Sequence, residues 1–568
     1  MMPFLPLLVL LAGITLLISR RRYKATPGKE SPRVIVGGHT YSESVGDGQS
    51  SVREGKIESV RSACIIGAGH IGALTAIVLA CQNPHVQFHV VDGDPRLITA
   101  WNSDRLPVFE PGLDELVFEK DHIVASERPK KQDCIDKQAD NELEIHQSVV
   151  RQPRIRKLRN ITFSTNIHAG IAASDIIFLC VDPPLDNVSL SHPQSAIHTN
   201  FQSSDDETPG LDLTNLKTAI RAIAQVSAGH KVIVHRGTGP AGIVLQIKKM
   251  LKKTASPSAS FEVLSNPEFL VPGTAIRDLL YPARIIIGHI FSEDMSPEAL
   301  TALKGLYAPW VPEDRIVTMD AWSSELGKVA ASAMLAQQTS SIQSLRAICE
   351  STKANITHIE QTVGALFPTG FGLGGSSFHR DVGCLVYLAR ELGLPEVAEY
   401  WRGVLKMNQY QIRRLAHRIN DSLPRGPERR DVALLGFASK CNTIEIRNTS
   451  ATQLVQELTR SGVKVDIYDS HVPKEQIERA LGLVSGHLDA VTVVQDPHSA
   501  CSGCSAVVLH TDWDEFKDDR LDWEKIAERM ESPKMLFDPH GMLDWQRMQK
   551  LGFKVLRPGV NCDNRLQT

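Results

Sequence analysis

The segment Ala63-Cys-Ile-Ile-Gly-Ala-Gly-His-Ile-Gly72 places glycines at positions 67, 69 and 72, directly after a short apolar run. A helical pattern follows, and a second apolar run, Val86–Val91, ends at Asp92. Glycines at this spacing permit a tight turn, close approach of the backbone to a pyrophosphate, and close packing of helix on strand. An acid about 20 residues further on accepts hydrogen bonds from the adenosine ribose and would repel a 2′-phosphate. The pattern therefore predicts a β-α-β unit that binds NAD; the alternative is a glycine turn in an unrelated α/β protein.

Apolar runs alternate with helical patterns on both sides of a helical middle, which extends from Ala321 to about Arg418. The runs are mostly continuous, which is typical of strands buried in a parallel sheet. We therefore predict an α/β protein with two Rossmann-like, doubly wound parallel-sheet domains joined by a central helical region. The predicted strands are Ala63–Ile66, Val86–Val91, Ile176–Val181, Lys231–Val234, Phe261–Leu264, Arg284–Ile287, Val432–Leu435, Val463–Tyr468, Ala506–Leu509 and Met535–Phe537.

Composition argues for a reduced, globular protein without a nucleic-acid partner. The 568 residues are 42% hydrophobic and 22% charged, with a net charge of −3, whereas nucleic-acid-binding domains are usually strongly basic. The ten cysteines are scattered, and disulfide frameworks belong to short secreted chains. Cys501 and Cys504 form a lone C-x-x-C, and without a second pair we predict no metal site.

The N-terminus predicts a membrane anchor. Residues 3–19 are uncharged and almost wholly apolar, and Arg20, Arg21 and Arg22 follow. A cleaved signal peptide carries its positive charge before the apolar run, and arginines behind such a run stay on the cytoplasmic side. We therefore predict an anchor over residues 1–22 and a linker over 23–60, with the rest facing the cytoplasm. A signal peptide and a mispredicted first exon are the alternatives.

Two polar stretches interrupt the alternation, at about 119–159 and 186–210, and we predict surface insertions there. The first ends in a basic cluster at 151–159, for which a solvated loop is the favoured interpretation. In the second α/β domain no glycine set follows the first strand; Gly436 stands after it, and Asp469 ends the next strand. That arrangement suits a mononucleotide-type site better than a dinucleotide site.

Several longer segments match one family. They are Ala100-Trp-Asn-Ser103, Leu106-Pro-Val-Phe-Glu-Pro-Gly-Leu113, Asn266-Pro-Glu-Phe-Leu270, Trp322-Ser-Ser-Glu-Leu326, Gly374-Gly-Ser-Ser-Phe378 and Leu394-Pro-Glu-Val-Ala-Glu-Tyr-Trp401. On these segments, from about residue 60 to 556, the chain resembles the animal and plant UDP-glucose 6-dehydrogenases of the UDP-glucose/GDP-mannose dehydrogenase family. The resemblance implies an NAD-binding domain at 61–290, a central domain at 291–422 whose long helix forms a homo-oligomer, and a UDP-sugar-binding domain at 431–558.

The resemblance also implies a reaction and its residues. The C6 alcohol of UDP-glucose is oxidised twice to UDP-glucuronate, two NAD are reduced, and a cysteine thiol captures the aldehyde. The catalytic positions implied are Thr238, Glu268, Lys328, Ser377 and Asp381. The cofactor-binding positions implied are Gly67, Gly69, His70, Ile71, Gly72, Asp92, Arg96 and Lys440. The substrate-binding positions implied are Glu268, Phe269, Leu270, Lys328, Ser332, Gly374 and Gly375.

Ser377 stands where the family has its nucleophilic cysteine. A serine hydroxyl needs an adjacent base, and Asp381, one helical turn away, would be a weak base at an ordinary carboxylate pKa. The favoured interpretation is that Ser376 or Ser377 caps the following helix. Other departures surround the reacting sugar: Ser332 replaces an asparagine, Pro272 a glutamate and Arg380 a lysine, and the chain is shorter between Gly364 and Gly372.

Three hypotheses follow. The first is a working UDP-glucose dehydrogenase, or one that makes UDP-glucuronate slowly through a hydrated aldehyde. The second is a nucleotide-sugar oxidoreductase with an altered substrate or a two-electron product. The third is a non-catalytic binding homologue. The retained Lys328 and Asp381 favour the first two, while Ser377, Pro272 and the shortened loop favour the third.

Overall fold

The computed structural model describes residues 60–119, 155–181, 213–237, 239–291, 297–352, 354–363, 376–424, 431–482, 490–556 and 559. The chain divides into two compact units, Met1–Glu54 and Gly55–Thr568, and every described residue belongs to the second. The predicted anchor, most of the linker, and Thr238, Gly374 and Gly375 lie outside the described residues. Within the described ranges no helix has both the length and the apolarity to cross a bilayer.

The N-terminal half of this unit forms an eight-stranded sheet. Its strands are β1 (Ser62–Ile66), β2 (Gln87–Val91), β3 (Ile161–Ser164), β4 (Ile176–Leu179), β5 (Gly229–His235), β6 (Ala259–Ser265), β7 (Ile285–His289) and β8 (Ile316–Asp320). Their order is β3-β2-β1-β4-β5-β6-β7-β8. The first six are parallel, which is the order of a dinucleotide-binding fold. β7 is antiparallel to β6 and parallel to β8.

Helices cover both faces of this sheet. They are α1 (His70–Gln82), α2 (Pro95–Trp101), α3 (Leu113–Val117), α4 (Ile167–Ala172), α5 (Thr214–Val226), α6 (Ile243–Thr254), α7 (Ala275–Leu280) and α8 (Pro297–Tyr307). Successive side chains of β1 enter opposite cores: Ala63 and Ile65 pack into one apolar cluster, Cys64 and Ile66 into the other. Because side chains alternate across a strand, a strand buried on both faces must be apolar throughout, as β1 is.

The middle of the chain is helical: α9 (Ala321–Ser351), α10 (Ile356–Val363), α11 (Ser376–Glu391) and α12 (Pro395–Ser422). The 31 residues of α9 form the long helix expected from the resemblance. Val329 and Ala333 of α9 pack against Val382 of α11 and Val404 of α12. This packing brings one face of α11 against the first half of α9.

The second sheet has six parallel strands, in the order β11-β10-β9-β12-β13-β14. The strands are β9 (Asp431–Leu435), β10 (Lys464–Tyr468), β11 (Val491–Val493), β12 (Ala506–Leu509), β13 (Met535–Phe537) and β14 (Lys554–Leu556). The helices are α13 (Ser450–Arg460), α14 (Lys474–Ala480), α15 (Pro497–Cys501), α16 (Trp523–Arg529) and α17 (Trp545–Lys550). The predicted fold class, two Rossmann-like domains joined by helices, is confirmed.

Two details differ from the sequence predictions. Strands β3, β8, β11 and β14 were not predicted, because they are short or only partly buried. The basic cluster is not a solvated loop throughout: Arg156 lies over the Phe118 ring, 5.6 Å from its centroid, and donates hydrogen bonds to the carbonyls of Trp101 and Ser103. The reason is local packing, since Arg156 covers an apolar surface that would otherwise face water.

Candidate active site

The three fingerprint glycines serve different purposes in the structure. Gly67 has φ +108°, and a Cβ there would lie 2.6 Å from the carbonyl oxygen of Cys180. A Cβ at Gly72 would lie 2.0 Å from the Gly67 carbonyl oxygen. At Gly69, the N-cap of α1, a Cβ would meet nothing within 4 Å. The first and third glycines therefore close the turn, and the second leaves open space where a pyrophosphate can approach the helix N-terminus.

The acids at the ends of the two second strands are not equivalent. Asp92 accepts one backbone N–H on each oxygen, from Ala68 at 2.8 Å and Asp94 at 2.9 Å, so lone pairs remain for ribose hydroxyls. Asp469 accepts four backbone N–H groups and the indole N–H of Trp513. Asp469 is thus occupied by donors from three segments of its own domain, which leaves it less acceptor capacity for a ribose than Asp92 has.

A cavity of about 470 Å³ connects the fingerprint turn to the remaining predicted site. Such a volume is ordinary for a ligand site. Of the predicted positions, the cavity wall includes Gly67, Gly69, His70, Ile71, Asp92, Glu268, Leu270 and Lys440. Arg96 does not line it; its side chain is 94% exposed and lies 3.7 Å from Asp94. The structure therefore brings six of the eight predicted cofactor positions and two of the seven predicted substrate positions into the wall of one cavity.

Lys328 lies between two buried carboxylates. Its Nζ is 3.1 Å from Oε1 of Glu268 and 3.9 Å from Oδ2 of Asp381, and the three side chains are 10%, 6% and 0% exposed. Burial alone would lower the pKa of Lys328, but Glu268 and Asp381 outweigh it and raise that pKa. The ammonium is therefore a permanent positive charge at physiological pH.

The two carboxylates differ in protonation. Burial would raise the pKa of Glu268, but Lys328 and the N–H of Leu270, at 2.7 Å, hold it below its ordinary value. For Asp381 burial prevails and the pKa is raised, although Lys328 and the Ser332 hydroxyl partly oppose this. Glu268 is thus held as an anion, while Asp381 is the carboxyl of the pair that takes up a proton more readily.

The segment carrying Glu268 is held by a buried network directly after β6. Asn266 donates to the carbonyl of Ile286 at 2.9 Å and accepts from Arg236 and Tyr307, each at 2.6 Å. Phe269 follows, with the Lys328 ammonium 5.6 Å from its ring centroid. These contacts fix Glu268 and Phe269 against α9, which carries Lys328.

The first turns of α9 are fixed to the NAD-side sheet. Asp320 caps the helix by accepting the N–H of Ser323 at 2.8 Å, and the Ser324 hydroxyl lies 3.0 Å from that of Ser265. Glu325 accepts the N–H groups of Gly242 and Val244 at the start of α6. Burial raises the pKa of Glu325 to about 7 against the opposing effect of these N–H groups. Lys328 follows within one turn, so these contacts set its position.

Ser377 lies in the first turn of α11, which begins at Ser376; the side chains of both serines are outside the described structure. The capping interpretation therefore stays a prediction. Further along this helix, Phe378 and Arg380 line the cavity, and the Lys440 ammonium is 5.5 Å from the Phe378 ring centroid. Burial lowers the pKa of Lys440, partly offset by Cys441 and Asp512.

Sequence reasoning missed several polar residues of this site. Arg380 is buried and lines the cavity; it was noted only as a departure, although its place beside Asp381 could have indicated a role. Glu445 and Arg447 form an ion pair at 2.6 Å in the cavity wall. They come from the second domain, and no local pattern marks them.

The glycine-rich turn opens onto a cluster of buried charged residues and lies between two sheets of the nucleotide-binding type. This arrangement is typical of an NAD-dependent oxidoreductase. The chain belongs to the UDP-glucose/GDP-mannose dehydrogenase family: its NAD binding domain matches residues 61–133 and 131–311, its central domain 322–410, and its UDP binding domain 433–545.

Individual relatives are similar to this chain over most of its length. The UDP-glucose 6-dehydrogenase of Gallus gallus is 37% identical over 513 residues, 87% of this chain and 92% of that protein. That of Drosophila melanogaster is 36% identical over 510 residues, 87% of this chain and 95% of that protein. A UDP-glucose dehydrogenase structure from Pyrobaculum islandicum covers 90% of this chain and 100% of its own, with a TM-score of 0.66 and 21% identity, and so shows a shared fold.

Proposed function

We propose that this chain oxidises UDP-glucose at C6 to UDP-glucuronate with NAD. The observation that carries the proposal is the Lys328 ammonium, held between Glu268 and Asp381 beside a cavity that also contains the fingerprint turn. NAD fits this cavity because the space at Gly69 is open and Asp92 retains acceptor capacity. NAD supplies the hydride acceptor for each two-electron step.

The first oxidation needs a base and a stabilised alkoxide. Asp381 takes the proton of the C6 hydroxyl, and its raised pKa makes it a better base than an ordinary aspartate. Lys328 stabilises the developing alkoxide, since a fixed cation in a dry site is most effective where charge appears. As the hydride leaves C6, the product is the aldehyde. Glu268 keeps Lys328 protonated and oriented.

The second oxidation proceeds through the aldehyde hydrate. Addition of water to the aldehyde gives a C6 diol, and loss of one proton and one hydride from that diol gives the carboxylic acid. The same base and cation serve this step, so no thiol is required. Buried Cys384, one turn from Asp381, has its pKa raised to about 12, and Cys441 to about 11; neither offers a thiolate in place of Ser377.

Ser377 supports an alternative outcome. Without a thiol to hold the aldehyde, the chain could release it after two electrons, or bind nucleotide sugar without turnover. The test is NADH formation, followed by absorbance, from the full chain with UDP-glucose and NAD. We expect slow but UDP-glucose-dependent turnover, faster in Ser377→Cys. No NADH from a protein that still binds NAD would reject the proposal and favour the binding homologue.

We also infer that residues 3–19 anchor the chain to a membrane with the enzyme on the cytoplasmic side. The support is the apolar run followed by three arginines. The expected result is sedimentation with membranes that survives alkaline carbonate washing. Release into the supernatant by that wash would reject the anchor without affecting the proposed activity.

A further inference from the structure

Glu110 is a buried carboxylate that connects the two halves of the cavity wall. It is 4% exposed, and its Oε1 lies 2.7 Å from Nε2 of His70 and 2.8 Å from the backbone nitrogen of Gly273. Its Oε2 accepts the N–H of Ala275 at 3.1 Å. An ionised carboxylate only accepts hydrogen bonds, so His70 must donate its Nε2–H. Glu110 therefore joins the start of α1 to the turn that precedes α7.

His70 is placed to meet the cofactor. It is the first residue of α1, directly follows the open position at Gly69, and lines the cavity. The helix N-terminus is where a pyrophosphate is bound by backbone N–H groups. With Nε2 committed to Glu110, the imidazole is held in one orientation beside that position.

The turn at 271–275 lies next to the predicted substrate positions. It follows Glu268 and Leu270, and Pro272 lines the cavity. Gly273 has φ +90°, and a Cβ there would lie 2.7 Å from the carbonyl oxygen of Cys441 in the second domain. The turn therefore has little freedom to shift toward that domain, and Glu110 holds it from the other side.

The loop that carries Glu110 is itself held by the second domain. Phe109 lies against His471, with ring centroids 5.2 Å apart, and His471 stacks on Trp513 at 4.1 Å. Three aromatic rings from two domains thus fix the residue next to Glu110. This arrangement gives the carboxylate a defined position before either ligand binds.

We propose that Glu110 is a positioning residue for both ligands, orienting His70 toward the cofactor pyrophosphate and holding the 271–275 turn beside the nucleotide sugar. The inference rests on the proposed function for the identity of the ligands. Replacing a purely structural carboxylate would change the stability of the fold. Replacing Glu110 should instead change the affinity for NAD through His70 and the affinity for UDP-glucose through the 271–275 turn.

Calorimetric titration of the full chain with NAD and, separately, with UDP-glucose tests this without turnover. Loss of a hydrogen bond to a charged group predicts about a tenfold loss of affinity. We expect His70→Phe to weaken NAD by about that factor and leave UDP-glucose within about twofold. We expect Glu110→Gln to weaken both ligands, since an amide cannot accept all three donors. Glu115→Gln, an exposed carboxylate nearby, is the control and should change neither.

The double variant decides whether the pair acts as a unit. If it does, His70→Phe combined with Glu110→Gln binds NAD no more weakly than Glu110→Gln alone. Additive losses, or a Glu110→Gln protein that loses affinity for only one ligand, would overturn the proposal. His70→Phe leaves the backbone contacts of Glu110 in place. The NAD titration of this variant therefore tests the proposal even if Glu110→Gln fails to fold. A wild-type chain that binds NAD but not UDP-glucose would reject the proposed function and equally this dual role.

Discussion

Lys328 carries a positive charge inside the protein, and the two carboxylates beside it, Glu268 and Asp381, differ in protonation. Glu268, with a lowered pKa, neutralises it permanently; Asp381, with a raised pKa, is free to change state. Groups whose environments push their pKa values apart are typical of acid–base sites. Structural ion pairs do not need such a difference between their carboxylates.

Replacing Lys328 by methionine removes the cation but keeps most of the side-chain volume. We expect kcat to fall on the order of 100- to 1000-fold, the usual loss when one group that stabilises an oxyanion is removed. NAD affinity should change little, because Lys328 does not line the cavity at the fingerprint turn. Lys252→Met, an exposed lysine on α6, is the matched control. Unaltered kcat in Lys328→Met would remove this residue from the mechanism.

We expect Asp381 to determine how the rate depends on pH. Because burial raises its pKa, the ionised, basic form appears only above the ordinary aspartate range near pH 4. The acid limb of the kcat/KM profile should therefore lie above that range, and Asp381→Asn should lose both the limb and most of the rate. Asp421→Asn, an exposed aspartate on α12, should keep the profile. A wild-type limb near pH 4 would contradict this assignment.

Among the helices and strands, the start of α9 connects the position of Lys328 to the NAD-side sheet. Glu325 accepts backbone N–H groups from the start of α6, and Ser324 contacts β6 through Ser265. The helix is thereby held against the sheet one turn before Lys328. Position of the cation thus depends on a buried acid that does not touch the cavity.

Glu325 makes stability depend on pH with a defined sign. Its pKa is about 7 in the folded chain and 4.5 in the unfolded reference, so the folded form keeps its proton between these values while the unfolded form loses it. Stability should fall as pH rises through this interval and then level off. At 1.36 kcal/mol per pH unit, the interval amounts to roughly 3 kcal/mol. Glu325→Gln should abolish this slope in thermal unfolding between pH 5 and 8, whereas Glu313→Gln, which alters an exposed acid, should keep it. Parallel curves for Glu325→Gln and wild type would refute it.

Local patterns explain which elements could be predicted. β1, α1 and β2 follow one another, and glycine spacing and apolar runs are visible within 30 residues. β8 is only partly buried, and two of its five residues are exposed. Its sequence therefore contains no continuous apolar run that would predict a strand. Glu325 and Glu110 owe their roles to partners 83 and 163 residues away. Such distances along the chain leave no pattern in a single sequence.

Considered across the whole molecule, α9 carries several large apolar side chains that the described residues leave partly exposed. Trp322, Leu326, Met334, Leu335 and Ile348 of α9 are 40–58% exposed, and large exposed apolar residues grouped on one element mark contact surfaces. We therefore retain the proposal that this helix forms a homo-oligomer. It explains why so long a helix exposes apolar residues along most of its length.

Acidic substitutions at the exposed apolar side chains of α9 should prevent association. We expect wild-type chain to sediment as a dimer or larger, and Leu326→Glu combined with Met334→Glu to shift it toward monomer. Leu392→Glu, at a leucine that directly follows α11 and is 61% exposed, serves as the control and should not dissociate the oligomer. A wild-type monomer, or an unaltered oligomer in the double variant, would show that another surface is used.

We expect Lys328 and Asp381 to complete both oxidations although Ser377 replaces the thiol. The most direct test is the number of NADH formed per UDP-glucose consumed, measured to exhaustion of the sugar. We expect two NADH per UDP-glucose. A ratio of one, with an aldehyde trapped by a hydrazine, would show that oxidation stops after the first hydride and would contradict it.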